Sequence, residues 1–364
     1  MRRPEAPLRV AVAGLGFGEK VILTALRDAP GTEPVALWHP RPERAAAAGK
    51  AAELPAFDDF AALLADPAVE AVVIATPPEP RFSLARAALE AGKHLFLEKP
   101  VALNFGQVEE LQRLAMARGL VVAVDFEYRA VPHVQQLAAL LEAGVLGDPW
   151  LVKFDWLMSS RADPSRPWSW YSQAAAGGGV LGALGTHAFD TLHWLIGPSR
   201  SLTARLSTAI AERPIPGSGA MGVVDAEDSA LIQLDLEDRR GRPVPAQLAL
   251  SSVARAGRGY WIELYGSEAT LVLGSSNQAD YVHGMQLWMA RPGEALRPVA
   301  ADPALAYGRT WEDGRIAPVR RLLGWWSQAV RERRPMLPGL SEAVASQRCC
   351  DWARQGAGTL EGIP

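Results

Sequence analysis

A lysine fixed between a glutamate and a proline, Glu98-Lys99-Pro100, follows a short apolar run, Leu95-Phe96-Leu97. An amine can move a proton near neutrality when burial or a neighbouring cation lowers its pKa. Pro100 restricts its own φ and biases Lys99 away from the helical region, so the backbone presents the lysine in a limited set of directions. Further on, Gly177-Gly178-Gly179 leads through Gly182-Ala183-Leu184-Gly185 to His187 and Asp190. Helical spacing puts Asp190 one turn beyond His187, close to the same face, and the glycines permit a tight approach to something flat or large. A plain alternative stands at each place: a solvated Glu–Lys pair closing a strand, and a structural histidine on a helix.

These residues need elements to position them. Gly92 suits the positive φ that ends a helix. Leu95–Leu97 then reads as a strand buried on both faces, so the charged pair stands just past its carboxyl end, where open α/β sheets bind ligands. The chain begins in the same way. Leu8–Ala13 is a buried-strand pattern, followed by Gly14-Leu15-Gly16-Phe17-Gly18-Glu19 and a helix to about Asp28. Strand, glycine loop and helix in this order make a dinucleotide fingerprint, with glycines admitting a pyrophosphate to the helix N-terminus. The third glycine of the pattern would fall at Glu19, and Gly18 comes one residue early. A second strand, Val35–Trp38, ends in Trp38-His39-Pro40-Arg41-Pro42-Glu43-Arg44 with no acid for the adenosine ribose hydroxyls. Arg41 and Arg44 can fork onto a 2′-phosphate, which favours NADP over NAD as cofactor. The alternative is that both arginines are solvated.

Repeating β-α units continue, with helices expected at 42–52, 59–65, 80–91 and 104–118, and strands at Val69–Ala75, which ends in Thr76-Pro77-Pro78, and at Leu120–Val124. Alternation of this kind predicts a doubly wound, mostly parallel sheet. After Asp125 and one more helix (131–143), strand-like segments dominate: 150–158, 202–210, 228–236, 246–254, 260–265, 269–273 and 285–290. Alternation as in Leu231-Ile232-Gln233-Leu234-Asp235-Leu236 predicts an antiparallel sheet with one face wet or covered by a partner. Residues 211–225 and 291–310 read as loops, and two helices, 317–333 and 341–354, as a return over the sheet or the first domain.

Composition limits the function classes. The chain is 49% hydrophobic and 21% charged, with a formal net charge of −3. It has no basic stripe for nucleic acid or an anionic membrane surface and no apolar run long enough to span a bilayer. Arg2 and Arg3 are followed by Pro4 and Glu5, which argues against an export signal. The only cysteines, Cys349 and Cys350, are adjacent. They fit neither a metal motif nor a disulfide framework, and point to a reducing compartment, the cytoplasm. The six histidines show no metal-ligand spacing, so no metal is expected.

Taken together, Gly14-Leu15-Gly16-Phe17-Gly18, Thr76-Pro77-Pro78, Ala91-Gly92-Lys93-His94 through Glu98-Lys99-Pro100, and Gly177-Gly178-Gly179 through His187-Ala188-Phe189-Asp190 resemble the glucose–fructose oxidoreductase / inositol dehydrogenase / MocA (Gfo/Idh/MocA) family over essentially the full length. The resemblance implies an N-terminal Rossmann domain (1–125) and a C-terminal α/β domain (126–364) with a large, open, mostly antiparallel sheet, whose exposed face makes a homodimer or homotetramer. It implies hydride exchange between a nicotinamide cofactor and a sugar, polyol or related carbonyl compound. Lys99 would touch both nicotinamide ribose and substrate, and His187 would lie beside the substrate hydroxyl, as the two catalytic residues. Candidate cofactor contacts are Gly14, Gly16, Phe17, Gly18, His39, Arg41, Arg44, Thr76, Pro77, Pro78, Glu98 and Lys99. Candidate substrate contacts are Tyr128, Arg129, Trp168 and Asp190. Trp168 belongs to an Arg- and aromatic-rich stretch, Arg161 to Tyr171, that suits a sugar-like ligand or a packed tryptophan cluster equally well. Two positions depart from the family pattern: Ala183 stands where many members have Asp, and Arg81 where many have His. Asp190 could stand in for the missing carboxylate, or serve as a local structural partner. The missing carboxylate keeps two other functions open, a non-redox cofactor-binding sensor and a lyase or glycoside-cleaving enzyme that recycles its cofactor internally.

Overall fold

In a computed structural model that describes residues 6–278 and 280–359, the chain divides into two compact units. The first holds the chain up to Ala130 together with Arg309–Val344, and the second holds Val131–Gly308 with the residues from Ala345 on. Arg2 to Glu5, weighed above as an export signal, lie outside the described residues.

The elements up to residue 130 are β1 (Leu8–Ala13), α1 (Leu23–Asp28), β2 (Thr32–Trp38), α2 (Pro42–Ala52), β3 (Ala56–Phe57), α3 (Phe60–Ala65), β4 (Ala71–Ile74), α4 (Pro78–Glu90), β5 (His94–Leu97), α5 (Phe105–Arg118) and β6 (Val122–Val124). There follow α6 (Pro132–Glu142), β7 (Pro149–Leu157), α7 (Thr186–Leu195), β8 (Ser199–Ser207), β9 (Glu212–Pro214), β10 (Met221–Val223), β11 (Ser229–Glu237), β12 (Pro243–Ser251), β13 (Gly259–Gly266), β14 (Thr270–Ser275), α8 (Tyr281–Gly284), β15 (Gln286–Ala290), β16 (Arg297–Val299), α9 (Ile316–Glu332), α10 (Leu340–Gln355) and β17 (Ala357–Thr359).

In the first unit all six strands are parallel, in the order β3-β2-β1-β4-β5-β6. The strands are apolar throughout because both faces are covered. Val10, Val12, Val73 and Phe96 pack on α1 and α9, and Ala11, Val72, Ile74, Leu95 and Leu97 pack on α3, α4 and α5. Successive side chains of a strand point to opposite faces, so a two-sided cover needs an unbroken apolar run. Residues 309–344 return to this unit, the course left open above for the C-terminal helices. The return is driven by the apolar stripe of α9, whose Val319, Leu322, Leu323 and Trp326 are fully buried. The Trp326 ring lies edge-on to Phe96, 5.8 Å between centroids.

The second unit is built on a nine-stranded sheet, β16-β15-β14-β13-β7-β12-β11-β8-β17, antiparallel except for β12 beside β7. Register carries one side chain per strand onto each face. Ile232, Leu248, Phe154, Ile262, Leu273 and Leu287 form an apolar inner row, while Gln233, Gln247, Lys153, Glu263, Val272 and Trp288 face outward. The two segments read as loops contain structure. Residues 211–225 form the paired β9 and β10, closed by Gly217 and Gly219 at positive φ, and 291–310 include β16 and a 3-10 turn, Pro303–Leu305. Strands of three residues in Pro- and Gly-rich sequence carry too little periodicity to be read in advance. β3 and β17 escaped for the same reason.

Candidate active site

The candidate residues of the first unit gather at the carboxyl ends of β1, β4, β5 and β6, four adjacent strands. Gly14, after β1, has φ +101°, and a Cβ there would sit 2.7 Å from the Ala75 carbonyl carbon and 2.8 Å from the Thr76 nitrogen. Only glycine meets both conditions, so the glycine loop lies directly on the turn that follows β4. A Cβ on Gly16 would meet nothing within 4 Å, which leaves that backbone open to a ligand. Gly18 opens α1 through a π-helical turn, Gly18–Ile22, and a Cβ there would touch Val12 at 3.0 Å. The early glycine therefore does the helix-to-strand packing expected of the third glycine. The buried Thr76 hydroxyl, next to Gly14, has no hydrogen-bond partner among the described residues. These features fit the pyrophosphate and ribose of a dinucleotide.

Arg81, on α4, fastens two of these turns. It is 3% exposed. Its Nη1 donates to the carbonyl of Glu98 at 2.7 Å and to that of Pro100, and its Nη2 to that of Thr76. Burial lowers its pKa to about 10, against the pull of Glu98 and Asp125. The position that departs from the family pattern thus holds the Thr76 and Glu98-Lys99-Pro100 turns together. The Lys99–Pro100 peptide is cis. Glu98 folds back so that its Oε2 accepts the Lys99 backbone N–H at 2.9 Å, and the Lys99 side chain is half-buried beyond it.

Three carboxyl groups lie at these strand ends. Glu98, Asp125 and Glu127 are all buried. Burial, then Glu98 and Glu127, hold the Asp125 carboxyl well above the usual carboxylate range. Among the described residues, neither Asp125 oxygen has a hydrogen-bond donor. Two carboxylates cannot bond each other, but a proton on Asp125 donates to Glu98 and satisfies both. Glu127 is pushed up to about 7 by burial and by Glu98, against the opposing pull of Lys99 and Arg315. Arg315, just ahead of α9, lies over the Phe17 ring at 5.3 Å and pairs with Asp313. Tyr128 and Arg129 are buried in the same turn as Glu127. Asp125, Glu127 and Arg315 were not singled out in the sequence, although a strand end followed by two acids within three residues is a readable signal.

At the end of β2 the other cofactor candidates stand apart from this cluster. Arg41 caps α2 with its N–H on His39 Nδ1 at 3.1 Å. Arg41 and Arg44 are exposed, and Arg44 approaches Glu19 at 3.9 Å. Burial and then Arg41 lower the His39 pKa, so its ring is neutral at pH 7. Pro77 and Pro78 lead into α4 as its N-cap and first residue.

In the second unit His187 is 3% exposed on α7, with its ring 6.1 Å from that of Trp156. Asp190, one turn on, is equally buried. The preceding glycines are demanded by the chain's own packing. A Cβ on Gly178 would lie 2.4 Å from the Tyr171 carbonyl oxygen, and one on Gly179 (φ +87°) 2.5 Å from Glu227 Oε1. Glu227 holds the turn into α7, its carbonyl accepting the Val180 N–H at 2.7 Å and its Oε1 the Leu181 N–H at 3.0 Å. Trp168 packs on Gly222, and its backbone and indole N–H groups donate to the carbonyls of Pro214 and Val223, both at 2.8 Å. The Arg161 guanidinium lies 3.7 Å over the Tyr171 ring. Ala183 is half-buried, and residues 177–186 contain no acidic side chain. Among the described residues no group of three or more His, Cys, Asp or Glu is placed to hold a metal ion, and no helix is long and apolar enough to cross a membrane.

Two family models match the chain. One describes an oxidoreductase family with an NAD-binding Rossmann fold, over residues 8–126, and the other the GFO/IDH/MocA C-terminal domain, over residues 134–272. An uncharacterized oxidoreductase of Synechocystis sp. is 43% identical over 350 residues, 96% of this chain and 93% of that protein. Levoglucosan dehydrogenase of Pseudarthrobacter phenanthrenivorans is 31% identical over 277 residues, 69% of this chain and 70% of that protein. Among solved structures, levoglucosan dehydrogenase in complex with NADH and L-sorbose superposes with a TM-score of 0.85 at 24% identity, covering 99% of this chain and all of the other. An oxidoreductase domain protein from Kribbella flavida gives 0.87 at 24% identity, covering 98% of this chain and all of the other. At that identity the likeness carries the fold.

Proposed function

The chain belongs to the Gfo/Idh/MocA family of NAD(P)-binding oxidoreductases, and from that premise we propose that it exchanges hydride between NADP(H) and the alcohol–carbonyl pair of a sugar or polyol. The observation that carries this reading is the fastening of three turns at the carboxyl ends of β1, β4 and β5. Gly14 lies on Thr76, and Arg81 joins Thr76 to Glu98 and Pro100. A dinucleotide-binding loop and a lysine poised for proton transfer are thereby locked into one rigid frame, as positioned catalysis needs.

Gly14, Gly16, Phe17, Gly18, Thr76, Pro77, Pro78 and Glu98 would hold the cofactor's pyrophosphate and ribose side. The bound cofactor supplies a hydride acceptor or donor. Arg41 and Arg44 would take a 2′-phosphate. The absence of an acid at the end of β2 supports NADP, and the weak exposed pair of Arg44 with Glu19 costs little to break. In this reading Lys99 and His187 are the groups that take the substrate hydroxyl proton during oxidation and return it during reduction. Tyr128, Arg129, Trp168 and Asp190 are assigned to substrate recognition. For Trp168 that leaves its ring face, since both its N–H groups are engaged. Assembly as a homodimer or homotetramer through the outward face of the nine-stranded sheet, in the cytoplasm, belongs to the same proposal. The exposed Leu231 and the stacked Trp261 and Trp288 on that face support it.

The test is Lys99→Ala, assayed with NADP+ on a panel of sugars and polyols. Turnover should fall at least about a hundredfold, the usual weight of a general acid–base group, with cofactor affinity held within an order of magnitude. Full activity in that variant would exclude the assignment.

A further inference from the structure

The segment that leads to His187 carries glycine at 177, 178, 179, 182 and 185, and glycine loses more backbone freedom on folding than any other residue. Such a stretch keeps one conformation only if other groups hold it. The first amides of a helix also lack intrahelical acceptors, and Val180, which stands before the π-helical turn Leu181–Gly185, offers no capping side chain. Two residues from distant parts of the second unit do the holding. Glu227, just before β11, is 6% exposed. Its carbonyl accepts the Val180 N–H at 2.7 Å and its Oε1 the Leu181 N–H at 3.0 Å. The same carboxyl group lies against Gly179, where a Cβ would fall 2.5 Å from Oε1 and 2.8 Å from Oε2. Arg354, in the last turn of α10, donates from Nη2 to the Gly178 carbonyl at 2.8 Å and reaches Glu227 Oε1 at 3.4 Å. From this fixed end the hydrogen bonds run on toward the histidine. The Leu181 carbonyl accepts the Thr186 backbone N–H and, at 3.6 Å, the Cys350 thiol. The Thr186 hydroxyl donates to the Gly182 carbonyl at 3.1 Å, and His187 is the next residue.

We propose that Glu227 and Arg354 are positioning residues for His187, a charge pair that locks the glycine turn and so fixes where α7 presents the histidine ring. This rests on the role given to His187 above. The pair acts through the backbone of residues 178–186, not by contact with the reactants. A carboxylate suits the place, because the N-terminal end of a helix carries partial positive charge. Reach matters as well: aspartate at 227 would be one methylene shorter and would leave the Leu181 N–H, while its carbonyl kept Val180. The glycine at 179 has two reasons to be there, its φ of +87° and the carboxyl group packed on it. The consequence for rate is large, since misplacing a reacting group by about 1 Å can cost about a hundredfold.

The experiment compares the full chain as wild type, Glu227→Ala, Glu227→Gln, Arg354→Met, the Glu227→Ala/Arg354→Met double variant and His187→Ala. NADP+ is supplied with levoglucosan, D-glucose or myo-inositol as probe substrates, at a temperature below every melting transition. Glu227→Ala should lower kcat about ten- to a hundredfold, with KM for the sugar and NADPH affinity each held within about threefold. Glu227→Gln, whose amide oxygen can still accept the Leu181 N–H, should recover most of that loss. Arg354→Met should lower kcat less, and the double variant no further than Glu227→Ala alone, since partners in one network do not act additively. Histidine-selective 15N NMR reads the ring itself. His187→Ala identifies the His187 signals, and Glu227→Ala should shift or broaden them while those of His39 and His94 stay in place. Hydrogen exchange in the wild type should find the Val180 and Leu181 amides as protected as those of β11 and β12. A pair that only stabilises would lower the melting transition with kcat and the His187 signals unmoved, which overturns the inference. So would rapid exchange of those two amides in the wild type, a result that needs no variant to fold. Fully active His187→Ala would instead remove the role given to that histidine, and its signals in Glu227→Ala would still decide whether Glu227 positions the ring.

Discussion

Arg81→Met tests the frame on which the site is built. Methionine has similar length, no charge and no donors, so the substitution removes the buried guanidinium and leaves the α4 backbone alone. The carbonyls of Thr76, Glu98 and Pro100 lose a charged donor together. A hydrogen bond to a charged group contributes roughly 1.5–3 kcal/mol. Against that loss stands the relief of burying a cation, which its depressed pKa shows to be substantial. Glu98 also loses the attraction of a buried cation, and removing one partner of a buried charge pair costs about 3–5 kcal/mol. The net expectation is a loss of about 3–5 kcal/mol in the first unit. At about 2–4 °C per kcal/mol for a unit of this size, its melting transition should fall by roughly 10 °C. Calorimetry reads the transition, and titration with NADPH should show affinity weakened more than about tenfold as the Thr76 and Lys99 turns separate. Arg81→His should be intermediate, since an imidazole cannot span three carbonyls. Stability within about 1 kcal/mol of wild type for Arg81→Met would refute the clamp.

Trp326→Ala should remove about 3–5 kcal/mol from the first unit, because the ring is fully buried between α9 and Phe96; chemical denaturation would measure it, and substrate preference should not move. Arg41→Ala combined with Arg44→Ala should weaken NADPH binding at least about tenfold while leaving NADH within about threefold, by fluorescence titration at fixed ionic strength. Glu127→Gln should change stability in a pH-dependent way. The fold raises this carboxyl from 4.5 to about 7, so the native state keeps a proton that the unfolded chain releases. The wild type therefore loses stability as pH rises through that window and stays at the lower level above it. The variant avoids this cost, and its advantage should grow from nothing at about pH 4 to at most about 3 kcal/mol by pH 8, as measured by urea denaturation at each pH.

Long-range architecture was legible because it is written in periodicity. Unbroken apolar runs at 8–13 and 95–97 and alternation at 231–236 declare a sheet covered on two faces and a sheet covered on one. Short strands such as β9, β10 and β16 were not, since three residues among prolines and glycines hold no period. The role of Arg81 was invisible as well. An arginine on a helix usually faces water, and only the fold brings three carbonyl oxygens around this one. The glycines before His187 were noticed for their freedom, but what fills the space beside them, Glu227, lies about 50 residues downstream and shares no local pattern with them. The same separation hides Arg315, which reaches Phe17 from the far end of the chain. Asp125 and Glu127 could have been found from their place at a strand's carboxyl end, but their protonation depends on mutual burial, which a sequence does not display.

The measurement that bears most directly on the central claim is reduced-nicotinamide absorbance during incubation of the wild-type protein with NADP+ and each member of a sugar and polyol panel, with Lys99→Ala alongside. The account predicts lasting accumulation of NADPH with at least one panel member, and its loss in the variant. Tight NADP+ binding with only transient reduction, or none, across the panel would contradict it in favour of an internally recycling enzyme or a sensor, and failure to bind either nicotinamide cofactor would remove its foundation.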